Sequence, residues 1–294
     1  MNLIYPDNVI EALEQNVIFA NENLKPMLGI ISSKNASPDE RSYLKSIINH
    51  ANKYNVDYKI FHVSSEHEVA EAIYEIKTNK EEIFNGVICL CTFKNQEISR
   101  ALFDMIPPRI DLDCMSSSTL GLFLTDKSEI AYRTGPCAPA AAMKILEYND
   151  IDLAGKNVAV LGRSLRVGRP LAEMLCKKDA TVTVFHSKSS LDCLFEYEII
   201  ISAIGKPKCI DASMLQWDDE DKLKNTWLID IGINVDPDTG KLCGDFDLDS
   251  FKDTDVNITP VPGCVGKLTT TILFAKLFSS ARQMKGSVKN DSLF

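Results

Sequence analysis

The chain has 294 residues, 45% of them hydrophobic, with 41 Asp and Glu against 32 Lys and Arg for a formal net charge of -9. That length holds about two domains. The acidic balance excludes a nucleic-acid or anionic-membrane surface, which needs clustered Lys and Arg, and leaves a small-molecule site as the default. The longest apolar runs, such as residues 198–205, fall far short of the about 20 residues that a membrane span requires.

The N-terminus MNLIYPDNVIEALEQ lacks the basic, apolar, small-residue order of a secretion signal, so a cytoplasmic protein is expected. Nine cysteines stand as singles apart from Cys89-x-Cys91. They form neither a disulfide framework nor a zinc knuckle, so no metal is expected.

From residue 6 to 106 helical periodicity alternates with β-rich runs at Met27 to Ser33, Tyr58 to Val63 and Gly86 to Thr92. Such alternation implies parallel βαβ units. A helix starts after the first strand, with Ser37 as N-cap, Pro38 at its first position, and Asp39 and Glu40 facing its positive end. Its inner face carries Tyr43, Leu44, Ile47, Ile48 and Ala51.

Residues 107–139 are rich in Pro, Ser and Gly and read as a loop-bearing boundary. A helix from Pro139 to Tyr148 follows, then strands at Asn157 to Leu161, Thr181 to Phe185, Ile199 to Ile204 and Trp227 to Ile231. The last apolar helix, Thr269 to Met284, has no sheet of its own domain left and is expected to return to the first. The predicted class is α/β, with an N-terminal domain of residues 1–138 plus 269–294 and a doubly wound dinucleotide-binding domain of residues 139–268.

NVAVLGRSLRVGRPLAEML reads as a strand, a turn with Gly162, Ser164 and Gly168, and a helix started by Pro170. A strand feeding such a turn offers free backbone N–H groups to a phosphate. The spacing departs from GxGxxG, and a plain tight turn has the same residues. At the end of the next strand, where an NAD site places an acid for the ribose, stand His186, Ser187 and Lys188. Ser187 can bond a 2'-phosphate and Arg163 can supply a guanidinium fork, so NADP is preferred over NAD. Gly205 and Gly232 fall at strand C-termini, where open sheets bind ligands and where turns also need glycine.

PCAPAAAMKILE, GRSLRVGRPLAEML, TVTVFHSKSS, ISAIGKPKCI, LIDIGINVDPDTGKLCGDFDLD and ITPVPGCVGKLTT stand in the order and spacing of one family. The chain resembles the methylenetetrahydrofolate dehydrogenase/cyclohydrolase family from about residue 25 to 280. The resemblance implies a catalytic domain completed by the last helix, an NADP-binding Rossmann domain, a folate cleft between them, and a homodimer. It implies hydride transfer from 5,10-methylenetetrahydrofolate to NADP and, in many members, hydrolysis of the methenyl product. It places Tyr43, Asp113, Pro262 and Gly263 at the folate, with Tyr43 and Asp113 in catalytic positions. At the cofactor it places Gly162, Arg163, Ser164, Gly168, Ser187, Gly205 and Ile233.

The same resemblance exposes departures. The family's catalytic Lys, four residues after the Tyr, is Ile47 here, and Lys45 lies about 200° away around the helix. The family's Gln is Leu90, followed by Cys91, Thr92, Phe93 and Lys94. Ala138 replaces Thr, and Cys264 and Lys267 replace Gly and Pro. Asp111-Leu112-Asp113-Cys114 keeps the carboxylate that grips the pterin in the family, although such an acid also suits loop capping. Hydride transfer needs chiefly positioning, whereas methenyl hydrolysis needs a group that exchanges protons. A dehydrogenase with weak or absent cyclohydrolase activity is therefore expected. The alternative is an NADP-binding paralogue without folate chemistry.

Overall fold

The computed structural model describes residues 1–19, 23–91, 95–125, 135–215 and 224–285. Its strands are β1 (Asn2–Leu3), β2 (Met27–Ser33), β3 (Asp57–Val63), β4 (Gly86–Cys89), β5 (Asn157–Leu161), β6 (Thr181–Phe185), β7 (Ile199–Ser202), β8 (Trp227–Asp230), β9 (Asn234–Val235), β10 (Leu242–Cys243) and β11 (Asn257–Ile258). The chain divides into two compact units, one of Met1–Val9 with Ala138–Thr269 and one of Ile10–Cys137 with Thr270–Phe294.

In the second of these, β3, β2 and β4 form a parallel sheet in that order. Helix Pro38–Lys53 starts as its sequence dictates, with Ser37 Oγ accepting from the Glu40 amide at 3.4 Å. Glu40 does not simply face the helix end. It turns back to the tip of β2, accepting from Ser32 Oγ at 3.0 Å and the Ser33 amide at 2.7 Å, which pins the helix to the strand it follows. Ile47 and Ala51 are fully buried on its inner face, while Tyr43, Leu44 and Ile48 are half-buried. Helix Glu66–Thr78 contributes Val69, Ala72, Ile73 and Ile76 to a core shared with Ile31, Val87 and Ile106.

The stretch expected to be a boundary loop contains a helix, Ser117–Thr125. Its first turn is capped from a distance, since Asp104 accepts from both the amide and the hydroxyl of Ser117. Periodicity in SSTLGLFLT is too weak to announce it. The last helix, Val265–Met284, returns as expected: Phe274 stacks on His50 with ring centroids 6.1 Å apart, and meets Tyr54 edge-on at 5.4 Å.

The first unit holds a six-stranded parallel sheet in the order β1-β11-β8-β7-β5-β6. Strands β5, β7 and β8 are Val, Ile and Leu runs because helices and loops cover both faces of a parallel sheet. β6, at the edge, is largely exposed. The N-terminus departs from the predicted division. Asn2 and Leu3 pair with Asn257 and Ile258, so the first nine residues cluster with the dinucleotide-type sheet. Both side chains are exposed and leave no periodic signal.

Candidate functional site

β5 ends at Leu161 and the chain turns at once. Gly162 has φ +121°, and a Cβ there would lie 2.5 Å from the Ala203 carbonyl oxygen. A Cβ on Gly168 would lie 2.0 Å from the Gly162 carbonyl oxygen. Gly168 thus lets the turn fold back on its own backbone, as a phosphate-binding turn requires, and Gly162 lets it pass close to the backbone that leaves β7. Between them Ser164 Oγ accepts from the Val167 amide at 3.1 Å and the Gly168 amide at 3.4 Å. The helix begins at Gly168, two residues before the expected start, and Pro170 falls within its first turn. No intrahelical bond is lost there, because the first four amides have no acceptor within the helix.

A cavity of about 490 Å³ opens over this turn. Gly162, Arg163, Ser164 and Ser187 line it, together with His186, Ala203, Ile204, Lys206 and Cys209. Four expected cofactor residues therefore share one wall set, while Gly168 lies buried beneath the turn. Gly205 and Ile233 do not line this cavity. Gly205 gives its amide to Asp245 and has φ +72°, and Ile233 is 40% exposed with its Cδ1 beside Gly266. Sequence reasoning placed His186 at the strand end beside Ser187, but gave none of His186, Lys206 and Cys209 a role as a lining residue. His186 and Lys206 were recognisable by their places after β6 and β7, at the C-terminal ends of parallel strands.

The electrostatics suit an anion. Among the described residues, neither the Arg163 guanidinium nor the Lys206 ammonium has an ion-pair partner, and no carboxylate lines the cavity. His186 Nδ1 accepts from the Lys188 amide at 3.1 Å, and Ser189 Oγ accepts from the His186 amide at 3.1 Å. That turn holds Ser187 exposed at the rim. Glycine-lined backbone, two unpaired cations and a free hydroxyl are donors matched to a phosphorylated nucleotide.

In the other unit, Asp111 and Asp113 divide the work of their loop. Asp111 is buried and accepts from the amides of Met115 and Ser116 and from the Thr119 hydroxyl. Asp113 is half-buried and accepts from the Cys137 amide at 2.8 Å, so it caps the helix Cys137–Tyr148. Lys276, 3% exposed, donates to the carbonyls of Leu112 and Gly135, clamping the segments on either side of that cap. Burial pushes the Cys114 thiol up to about 12 and the Cys137 thiol higher still.

Tyr43 is half-buried on its helix. Ile47 is 0% exposed and Leu90 7%. Thr92, Phe93 and Lys94 lie outside the described residues. Pro262 and Gly263 belong to the unit that carries the cavity and are exposed in the turn before the last helix. There Lys267 pairs with Asp7 at 2.7 Å, and Cys264 is buried. Among the described residues no group of three His, Cys, Asp or Glu is placed to hold a metal, and no helix is long and apolar enough to cross a membrane.

The model of the tetrahydrofolate dehydrogenase/cyclohydrolase NAD(P)-binding domain matches residues 136–285. Bifunctional protein FolD of Clostridium botulinum strain Langeland is 35% identical over 267 residues, 89% of this chain and 90% of that protein. The chain belongs to the tetrahydrofolate dehydrogenase/cyclohydrolase family. A solved structure of the bifunctional methylenetetrahydrofolate dehydrogenase/cyclohydrolase of Campylobacter jejuni superposes with a TM-score of 0.79 at 25% identity, covering 95% of this chain and 96% of that one. The Trypanosoma brucei enzyme, solved with NADP and an inhibitor, shares the fold at TM-score 0.82 and 23% identity, covering 97% and 98%. Family membership accounts for the glycine turn and the parallel sheet beneath it.

Proposed function

We propose that the protein is an NADP-dependent 5,10-methylenetetrahydrofolate dehydrogenase whose methenyltetrahydrofolate cyclohydrolase activity is weak or absent. The dinucleotide unit binds NADP and the unit of residues 10–137 with 270–294 binds the folate. NADP bound in the cavity supplies the hydride acceptor. Arg163 and Ser187 hold the 2'-phosphate, the first by charge and the second by its hydroxyl. Asp113 retains acceptor capacity beyond the Cys137 amide, because a carboxylate offers about four lone-pair sites. It meets the paired N–H donors of the pterin, and Tyr43 packs against the ring.

The observation that carries the reading of the second activity is the burial of Ile47 and Leu90. Neither hydrocarbon can move a proton, and methenyl hydrolysis requires one to be moved. Lys276 does not replace the missing amine, since it is buried and given over to two backbone carbonyls. Lys45 is exposed on the far side of its helix.

The test is two assays on one preparation. NADPH formation from 5,10-methylenetetrahydrofolate is expected, with NAD a poorer acceptor, and methenyltetrahydrofolate should decay at the buffer rate. Decay well above that rate rejects the single-activity reading. Absence of reduction with either acceptor, in protein that binds NADP, favours a binding-only paralogue, the reading that the altered Lys, Gln and Thr positions also fit. A cytoplasmic homodimer goes with the proposal, and light scattering at a mass near twice 32.7 kDa tests the dimer.

A further inference from the structure

One wall of the cavity is a loop, residues 203–206, that leaves β7 and carries Ala203, Ile204 and Lys206 onto the cavity surface. Nothing in that loop explains its shape. The Ala203 amide still bonds the Leu161 carbonyl at the end of β5 at 2.8 Å, but the next three amides pair with no strand and converge on one carboxylate. Asp245 accepts from the Ile204 amide at 2.8 Å, the Gly205 amide at 3.1 Å and the Lys206 amide at 3.0 Å. The same side chain accepts from Ser202 Oγ at 2.7 Å and from Asn234 Nδ2 at 2.9 Å.

Asp245 is 0% exposed and is not among the cavity-lining residues, so a ligand cannot reach it. A fully buried carboxylate is tolerated only when its lone pairs are taken, and five donors do this here. The surrounding backbone is shaped to admit it. A Cβ on Gly232, at the end of β8, would lie 2.2 Å from Asp245 Oδ1, so only glycine leaves room for the carboxylate. Asp245 is also held from behind, where its own carbonyl accepts from the Ile210 amide at 3.0 Å. The loop is thus wrapped around an internal anion, in the manner of a backbone nest that binds an external one.

We propose that Asp245 is a positioning residue for the dinucleotide: its carboxylate fixes the 203–206 wall, and through that wall it sets cofactor affinity without touching the cofactor. The proposal rests on the reading of the cavity as a dinucleotide site. Asp245→Asn keeps the shape of the side chain but turns an N–H donor toward amides that are themselves donors. At least one loop amide is then orphaned or the loop moves, and either change deforms the wall.

The experiment measures NADP binding to the full chain by titration calorimetry, with the unfolding temperature of the free protein and the steady-state constants alongside. Wild type that binds no NADP rejects the dinucleotide reading, and this proposal with it. Given binding by wild type, Asp245→Asn is expected to weaken NADP by about tenfold or more. The KM for methylenetetrahydrofolate at saturating NADP should stay within about twofold, a split that general loosening of the protein would not produce. Asn234→Ala removes one donor but leaves the three amides bonded, and is expected to cost less than about threefold. If Asp245→Asn fails to fold, Gly232→Ala carries the test, because its methyl displaces the carboxylate without removing it; the same selective loss of NADP affinity is expected. A folded Asp245→Asn or Gly232→Ala with wild-type NADP affinity overturns the proposal, as does an equal loss in folate KM and NADP binding.

Discussion

Asp113 accepts a hydrogen bond from the Cys137 amide at 2.8 Å, so the carboxylate that family resemblance assigns to the substrate also caps a helix. The two roles can be separated by substitution. Asp113→Asn keeps one acceptor oxygen for Cys137 but presents an amide N–H₂ to the donor edge of a pterin. Its unfolding temperature should stay within about 2 °C of wild type while the KM for methylenetetrahydrofolate rises by about tenfold or more. Asp113→Ala loses the cap as well, and its unfolding free energy in urea should fall by about 1 kcal/mol, a loss that Asp113→Asn should not show. Wild-type KM in Asp113→Asn would leave the residue with its capping role alone.

Cofactor choice should reside in Arg163 and Ser187. Both line the cavity, and among the described residues Arg163 has no ion-pair partner to compete with a phosphate. A charge-assisted bond is worth about 1.5–3 kcal/mol. Arg163→Ala is therefore expected to raise the KM for NADP by about 10- to 100-fold and to leave that for NAD nearly unchanged. Ser187→Asp adds a charge that repels the 2'-phosphate and accepts from a ribose hydroxyl, so it should move preference toward NAD. Parallel changes for both dinucleotides would place the 2'-phosphate elsewhere.

Strands β2, β5 and β6 follow the sequence reading to the residue, because continuous or edge-alternating Val, Ile and Phe runs end in glycine or polar turns. β1, β9 and β10 escaped it, since two-residue strands carry no period: β1 exists only through Asn257 and Ile258 at the far end of the chain, and β9 and β10 only through each other. Arg163 and Ser187 were legible because a turn and a strand end fix them locally. Asp245 was not, because its role depends on three amides about 40 residues earlier in the sequence. Glu40 shows the same limit on a small scale. Its helix-end position was readable, but its bonds to Ser32 and Ser33 needed the fold.

Asp230 should give stability an unusual pH dependence. It is 2% exposed and accepts from the Gly232 amide at 2.9 Å and the Phe246 amide at 3.0 Å. Burial, reinforced by the neighbouring Asp245 charge, pushes its carboxyl up to about 7. Between pH 4 and 7 the folded chain therefore holds a proton that the unfolded chain has released. This contribution is fully present below about pH 4 and is lost as pH rises through about 7, at up to about 1.4 kcal/mol per unit. Asp236 acts in a separate window. Lys208 and backbone bonds hold its carboxyl down to about 2, so its contribution is present above about pH 4 and lost in more acid solution. Urea midpoints at pH 5, 6 and 7 should fall more steeply in wild type than in Asp230→Asn. Parallel curves would mean that Asp230 is ionised in the folded protein throughout.

Cys209 offers a chemical report on cavity occupancy. Its thiol lines the cavity, and burial pushes it up to about 11. The thiolate is the reactive form, so alkylation of Cys209 by iodoacetamide should be slow at pH 7 and accelerate about tenfold per pH unit toward 9. Cys176 is exposed at the end of the helix Gly168–Cys176, is not a lining residue of this cavity, and serves as the internal reference. Saturating NADP should slow labelling of Cys209 by about tenfold or more while leaving Cys176 unchanged, because the bound form blocks access to one thiol only. Peptide mass spectrometry after timed labelling reads both sites in one sample. Equal labelling of Cys209 with and without NADP, at concentrations where calorimetry shows binding, would place the dinucleotide outside this cavity.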